Sequence, residues 1–242
     1  MSAHEMIPVC SAGHAGADRR PALLERILPD SVAVAEAYDD PPDIPLFSQE
    51  ALLIRDAVPS RVREFSTARL CARRALARLG WDPVPLVGSL GRPPKWPEST
   101  TGSITHCTGY RAAAVARTED IALLGIDAEP HAPLPEGVLE VIALPAELAR
   151  VRGALASRPR LRWDRLLFCA KEAVYKAWNP YTEQNLGFED ADIVIDLNAP
   201  RFAARLLAPP PAGRGHGIRT LEGTWTVEAG LILTAVALPG PR

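Results

Sequence analysis

The chain has 242 residues, 47% hydrophobic and 23% charged, with a formal net charge of −2. That is an ordinary globular composition, long enough to bury a core, and its balanced charge carries no electrostatic footprint for nucleic acid. No stretch approaches 18 apolar residues without a charge, which argues against a membrane-spanning helix.

The basic residues are skewed. Of 27, only Lys95, Lys171 and Lys176 are lysine; the other 24 are arginine. Where arginine is the default cation, each lysine becomes a candidate for a specific task.

In chain order, residues 1–20 lack the basic start and long apolar run of a signal peptide and read as a disordered lead-in. Helices are expected at Leu46–Ile54 and Val62–Leu79, the second ended by Gly80. Gly88–Pro97 is a Gly- and Pro-rich loop. Arg111–Arg117 and Ile121–Ile126 flank the Thr118-Glu119-Asp120 turn and read as an antiparallel hairpin. Helical runs follow at Glu136–Ala143 and Ala146–Arg152. Arg162–Trp178 carries the clearest apolar stripe: Trp163, Leu166, Leu167, Ala170, Val174 and Trp178. Ile193–Asp196 is a short strand, Pro209–Gly217 a surface loop, and Thr224–Val227 with Leu231–Leu238 a final hairpin. Two subdomains are expected, 21–119 and 120–242. Cys10, Cys71, Cys107 and Cys169 form no CxxC pair, which argues against a zinc site and for reduced thiols in a cytoplasmic protein.

Three elements carry chemistry. Asp127 and Glu129, in Gly125-Ile126-Asp127-Ala128-Glu129-Pro130, point to one face of a strand with α-carbons about 6–7 Å apart. Converging carboxylates call for a cation, and hard oxygen donors favour Mg²⁺; a solvated strand end fits the spacing equally. Glu172 and Lys176 lie four residues apart on one helical face, the spacing of an ordinary surface ion pair. That helix, however, holds two of the three lysines and flanks them with Phe168, Tyr175 and Trp178. Third, Thr105 and His106, in Gly102-Ser103-Ile104-Thr105-His106-Cys107, follow the cationic loop Gly91-Arg92-Pro93-Pro94-Lys95-Trp96-Pro97 and offer a hydroxyl and an imidazole to a phosphate; an ordinary strand start fits them as well. No GxSxG elbow is present for a nucleophilic serine.

With these elements in this order, the sequence resembles the Sfp-type 4'-phosphopantetheinyl transferases, in the EntD/PptT-like branch. The resemblance runs from about Pro45 to Leu238. It is carried by Arg63-Glu64-Phe65 with Arg69, by Trp96-Pro97, by the Gly102–Cys107 and Gly125–Pro130 segments, and by Trp163–Trp178 with its Lys171-Glu172-Ala173-Val174-Tyr175-Lys176 core. It implies an α+β fold of two similar subdomains related by a pseudo-twofold axis, with the site in the cleft between them and a monomeric enzyme. The implied reaction moves the phosphopantetheine arm of coenzyme A onto a serine of an apo acyl, aryl or peptidyl carrier protein and releases adenosine 3',5'-bisphosphate.

By position, Asp127, the Ala128 carbonyl, Glu129 and Glu172 would hold Mg²⁺, with Asp127, Glu172 and Lys176 catalytic. Lys176 would meet the pyrophosphate, Thr105 and His106 the adenosine phosphates, and Arg69 with Arg61 the 3'-phosphate. In the loop opened by Gly91, either Arg92 or Lys95 would make a further coenzyme A contact, because the loop is one residue longer than the family pattern. Glu172 ranks ahead of Glu147 as the base for the serine. The competing readings are a non-catalytic coenzyme A- or carrier-binding module of the same fold, and a Mg²⁺-dependent nucleotide phosphohydrolase.

Overall fold

The computed structural model describes residues 22–88, 93–207 and 217–241. The expected lead-in at 1–20, Gly91, Arg92 and most of the expected loop at Pro209–Gly217 lie outside the described residues. Strand β1 (Ala33–Ala37) is followed by helices α1 (Ser48–Leu53) and α2 (Pro59–Arg78), then by β2 (Thr100–Cys107) and β3 (Tyr110–Arg117). The second half runs β4 (Ile121–Pro130), α3 (Val138–Ile142), α4 (Pro145–Ser157), α5 (Trp163–Thr182), β5 (Ala191–Ile195), β6 (Arg201–Leu206), β7 (Thr220–Glu228) and β8 (Leu231–Pro239).

The strands form two antiparallel sheets, ordered β1-β3-β2 and β4-β8-β7-β6-β5. Each half starts with a strand, continues through helices, and closes with a hairpin whose second strand pairs with the first strand. The plan of the first half thus recurs in the second with β5 and β6 added, in the α+β architecture that the resemblance implies.

Side-chain alternation sets the layers. Ala113 and Val115 of β3 pack on Cys71, Ala72, Ala75 and Leu76 of α2. Ala112, Ala114 and Ala116, on the opposite face, pack on Leu124 and Ile126 of β4 and Leu233 and Ala235 of β8. The outer face of the five-stranded sheet receives Trp163, Leu166, Ala170, Val174 and Ala177 of α5 against Leu123, Ile232 and Val236. Alternate residues of β4 therefore face either the first sheet or α5. Helix α2 stops at a Schellman-type cap: Gly80 has φ +86°, and the Trp81 N–H reaches back to the Leu76 carbonyl at 3.2 Å.

The structure corrects one expected pairing. β3 and β4 do not form a hairpin: β3 already has β1 and β2 on its two sides, and β4 pairs with β8. The turn at Thr118-Glu119-Asp120 carries the chain from one sheet to the other. Two apolar runs flanking a turn signal look alike in either case, because alternation reports which face is buried but not which strand is the neighbour. Among the described residues, hairpins join β5 to β6, β2 to β3, turning at Gly109 with φ +74°, and β7 to β8, turning at Ala229 and Gly230 with φ 52° and 77°. The β7–β8 turn fits a primed two-residue turn.

Candidate active site

Gly125 brings the two reactive elements together. A Cβ at this position would lie 2.1 Å from the Ala173 carbonyl oxygen and 2.5 Å from the Ala177 nitrogen. Its absence lets α5 lie directly on β4. Asp127 and Glu129 share the Gly125 face of the strand, so both point toward α5. On that helix Arg165, Glu172 and Lys176 recur at seven- and four-residue intervals along one stripe.

Lys176 Nζ donates to Asp127 Oδ1 at 2.6 Å, and Arg165 Nη1 to Glu129 Oε2 at 2.8 Å. The i, i+4 pair of the sequence is thus crossed. Lys176 meets a carboxylate from the sheet rather than Glu172, whose own carboxylate stays half-buried beside the cavity described below.

β4 is the outer strand of its sheet, and side chains from β2 supply the hydrogen bonds that a further strand would make. The Ile126 N–H donates to Ser103 Oγ at 3.1 Å and the Ala128 N–H to Thr105 Oγ1 at 3.0 Å. The Thr105 hydroxyl donates in turn to Asp127 Oδ1 at 3.1 Å. Thr105 is fully buried. Its hydroxyl is a tie between the two sheets that fixes Asp127.

The proton affinities of Glu172 and Glu129 are both raised. Burial raises the pKa of Glu172, with further rises from the Asp127 and Glu129 charges and an opposing pull from Lys176. Glu129 is raised by burial and by Asp127, against Arg165. Burial acts to lower Lys176, but the charge and hydrogen bond of Asp127, with Glu172 behind it, raise it overall, so the ammonium stays charged.

Among the described residues no three acidic, His or Cys side chains converge closely enough to form a cation site as they stand. In this arrangement Lys176 and Arg165 supply the positive charge. The donor set nevertheless fits Mg²⁺ in its chemistry: all its donors are hard oxygens, and Asp127 Oδ2 is buried with no hydrogen-bond partner. The Ala128 N–H faces β2, and in an extended strand the carbonyl of the same residue points the same way.

A basic wall borders the acids. Arg61 and Glu64 of α2 grip His106 at the end of β2. Glu64 Oε1 lies 3.1 Å from His106 Nδ1, and Arg61 Nη1 lies 3.3 Å from Nε2 and 2.5 Å from Glu64 Oε2. Arg111 bonds Asp40 at 2.7 Å and approaches the same Glu64 oxygen at 3.6 Å. Burial pulls the His106 pKa down, Glu64 pushes it up, and Arg61, Lys176 and Arg111 pull it down again.

Arg69 is buried, its guanidinium 4.3 Å over the Phe65 ring; its Nε donates no hydrogen bond and pairs only at 3.9 Å with Glu50 Oε1. Desolvation lowers its pKa to about 10. A desolvated cation with a free donor suits an anion. Its neighbour Glu50 is engaged instead by Arg73 at 2.9 Å and by the Leu86 N–H at 3.0 Å. Lys95 is exposed and joins none of these groups.

Beside Glu172 a cavity of about 250 Å³ is lined by Lys171, Glu172 and Tyr175 of α5 and by Leu186, Gly187, Phe188 and Ala191. Glu147 does not reach this space as a free base. It is fully buried, with Oε1 accepting the Ile193 N–H at 2.6 Å and Oε2 accepting the Leu144 N–H at 2.7 Å and Lys171 Nζ at 2.9 Å. The sequence reading missed Arg165, Ser103, Glu64 and Arg111 as members of the site. Arg165 carried a readable signal, since it lies on the Glu172–Lys176 stripe two turns earlier.

Two sequence families match in tandem: residues 49–116 match the 4'-phosphopantetheinyl transferase N-terminal domain, and residues 123–216 the 4'-phosphopantetheinyl transferase superfamily. The chain belongs to that superfamily, whose members transfer phosphopantetheine from coenzyme A to carrier proteins. It is 47% identical over 222 residues to the 4'-phosphopantetheinyl transferase Svp of Streptomyces mobaraensis, covering 90% of each chain. It is 46% identical over 224 residues to PptT of Mycobacterium tuberculosis, covering 89% of this chain and 98% of that one. Enterobactin synthase component D of Escherichia coli O157:H7 is more distant, 33% identical over 144 residues that make up 58% of this chain and 65% of that one. No helix among the described residues is long and apolar enough to cross a membrane.

Proposed function

We propose that the chain uses the cleft between β4–α5 and β2–α2 to move the 4'-phosphopantetheine arm of coenzyme A onto a serine hydroxyl of apo acyl, aryl or peptidyl carrier proteins, as a cytoplasmic, Mg²⁺-dependent monomer. The observation that carries this reading is the Lys176–Asp127 pair, flanked by Glu129 and by Glu172, which also lines the cavity. One chain supplies every element of this arrangement, which supports a monomer, and the described cysteines are free thiols.

In this reading Lys176 meets the pyrophosphate, with Asp127 and Thr105 holding its ammonium in place. His106 and Arg61 border the adenosine phosphates, and Arg69 takes the 3'-phosphate through its Nε donor. The pantetheine arm enters the cavity between Tyr175 and Phe188. Asp127 through Oδ2, Glu129, Glu172 and the Ala128 carbonyl would hold Mg²⁺, which when bound neutralises charge on the phosphate oxygens.

The serine oxygen forms a bond to the phosphorus bearing the arm, the bond from that phosphorus to the bridging oxygen breaks, and the bisphosphate leaves. Glu172 takes the serine proton, directly or through a water. No neighbouring donor engages its carboxylate, and its proton affinity is raised by its surroundings. Lys176 stabilises charge on the departing phosphate, so positioning and neutralisation do most of the work.

The test incubates the protein with coenzyme A, Mg²⁺ and a panel of apo carrier proteins and reads carrier mass. Wild type adds one phosphopantetheine group, while Asp127→Ala and Glu172→Ala add none and keep the wild-type circular dichroism. Full transfer by either variant overturns the residue assignment. No transfer to any fatty-acid, polyketide or peptide-synthetase carrier overturns the activity.

A further inference from the structure

Lys171 and Glu147 form the most buried ion pair among the described residues, with side chains 2% and 0% exposed. Stability is a weak reason for such a pair, because apolar residues of similar volume often serve as well or better. Its hydrogen bonds point to another reason. Lys171 Nζ donates to Glu147 Oε2 at 2.9 Å, to the Phe188 carbonyl at 2.6 Å and to the Ala191 carbonyl at 2.8 Å. Its three protons are committed, so Lys171 lines the cavity with its methylene stem and offers a ligand no donor. Glu147 in turn accepts from the Ile193 N–H.

Of the pair's four backbone partners, one, the Leu144 N–H, is at the start of α4, and the other three lie in the segment from Phe188 into β5. That strand is the outer edge of the five-stranded sheet, and its outward-facing groups have no neighbouring strand to pair with. Arg150 closes the next one, donating to the Ile193 carbonyl at 2.9 Å. The pair therefore ties the far wall of the cavity, residues 186–191, to α5 at the residue preceding Glu172.

We propose that Lys171 and Glu147 are positioning residues for the donor substrate: their buried pair holds the cavity wall at a fixed distance from α5 and so sets affinity for the pantetheine arm of coenzyme A. This rests on the reading that the cavity takes the arm. With the wall untied, Leu186 and Phe188 are ordered only when the ligand enters, which weakens arm binding about 10-fold to 100-fold. The adenosine and its phosphates, held elsewhere, are unaffected.

Calorimetric titration of the full chain compares coenzyme A with adenosine 3',5'-bisphosphate, which lacks the arm. Lys171→Met alone strands a buried carboxylate and threatens folding. The deciding variant is therefore the neutral double substitution Lys171→Met with Glu147→Gln, its fold checked by circular dichroism. The expected result is a loss of about 10-fold or more for coenzyme A with bisphosphate affinity kept within about twofold. If both affinities fall together, or neither moves, the positioning role is overturned. If wild type binds coenzyme A no more tightly than the bisphosphate, the cavity does not take the arm, and that reading falls whatever the variants do.

Discussion

Gly125→Ala is the sharpest structural test of how the site is assembled. The added Cβ would meet two backbone atoms of α5, the Ala173 oxygen at 2.1 Å and the Ala177 nitrogen at 2.5 Å, together with the Ala177 Cβ at 2.7 Å. None of these is the tip of a flexible side chain that can rotate away. Cβ contacts under 3.0 Å essentially do not occur, so the helix must retreat by about 1 Å. Overpacking of this kind costs about 1–3 kcal/mol, and backbone neighbours place it at the upper end. For a chain of this size, about 3 kcal/mol lowers the melting temperature by about 6–12 °C. The same retreat carries Lys176 off Asp127, now 2.6 Å away, and misplacement by about 1 Å can cost about 100-fold in rate. Thermal melting and kcat/KM for transfer are the assays. Gly153→Ala is the control, because its Cβ meets nothing within 4 Å inside α4; it should stabilise by about 0.5–1 kcal/mol with unchanged kinetics. A Gly125→Ala protein melting within about 2 °C of wild type at undiminished kcat/KM would refute the claim that backbone contact at Gly125 builds the site.

Thr105→Val leaves the buried Ala128 N–H without its acceptor and should cost about 2 kcal/mol, roughly 4–8 °C in melting temperature. Thr105→Ser keeps the hydroxyl and should stay within about 1 kcal/mol of wild type, and equal losses in the two variants would remove the hydroxyl from the account. Arg69→Gln should weaken coenzyme A binding by about 10-fold to 150-fold, the loss of one charge-assisted contact. It should leave 3'-dephospho-coenzyme A unaffected, and an equal loss for both ligands would detach Arg69 from the 3'-phosphate. His106 is depressed below its ordinary pKa of 6.5 in the folded chain, chiefly by burial, with Arg61, Lys176 and Arg111 outweighing part of the pull from Glu64. The unfolded chain therefore binds the extra proton first, and stability is lost as pH falls from about 6.5 toward the lower folded-state value. Urea titrations from pH 7.5 to 5 should show a steeper loss for wild type than for His106→Gln, and parallel curves would contradict the depressed pKa.

Periodicity made the long helices legible, because α2 and α5 each bury one stripe over many turns. The acidic strand was legible for a similar reason: Gly125, Asp127 and Glu129 alternate onto one face. Pairing was not legible. Ala112, Ala113 and Ala114 are all buried, since β3 is covered on one face by α2 and on the other by the second sheet. An all-buried run carries no alternation to show which strands flank it. The partner of Lys176 is not legible for a related reason. Glu172 and Lys176 are neighbours along the helix, but Gly125 brings Asp127 closer to Lys176 than helical spacing alone can show. The burial of Thr105 is not legible either, because a hydroxyl beside a histidine fits a phosphate contact and an ordinary strand start alike. Its burial follows from β4 being an outer strand, whose backbone amides need acceptors.

Two of the three lysines have physical reasons that arginine would not meet. Lys171 sends its three protons to three separate acceptors, a carboxylate and two carbonyls from different stretches of chain. A tetrahedral ammonium can do this; a guanidinium, whose donors lie in one plane, cannot. Lys176 sits 2.6 Å from Asp127 Oδ1 and 3.5 Å from Thr105 Oγ1, a compact charge that still leaves a donor for the cleft. Lys95 lies exposed with no comparable demand on its shape. In a chain that otherwise spends arginine on its cations, lysine is thus kept at two positions on α5 where three-dimensional donor geometry matters. In the proposed reaction one of them carries charge toward the phosphates, and the other holds the wall of the cavity beside Glu172.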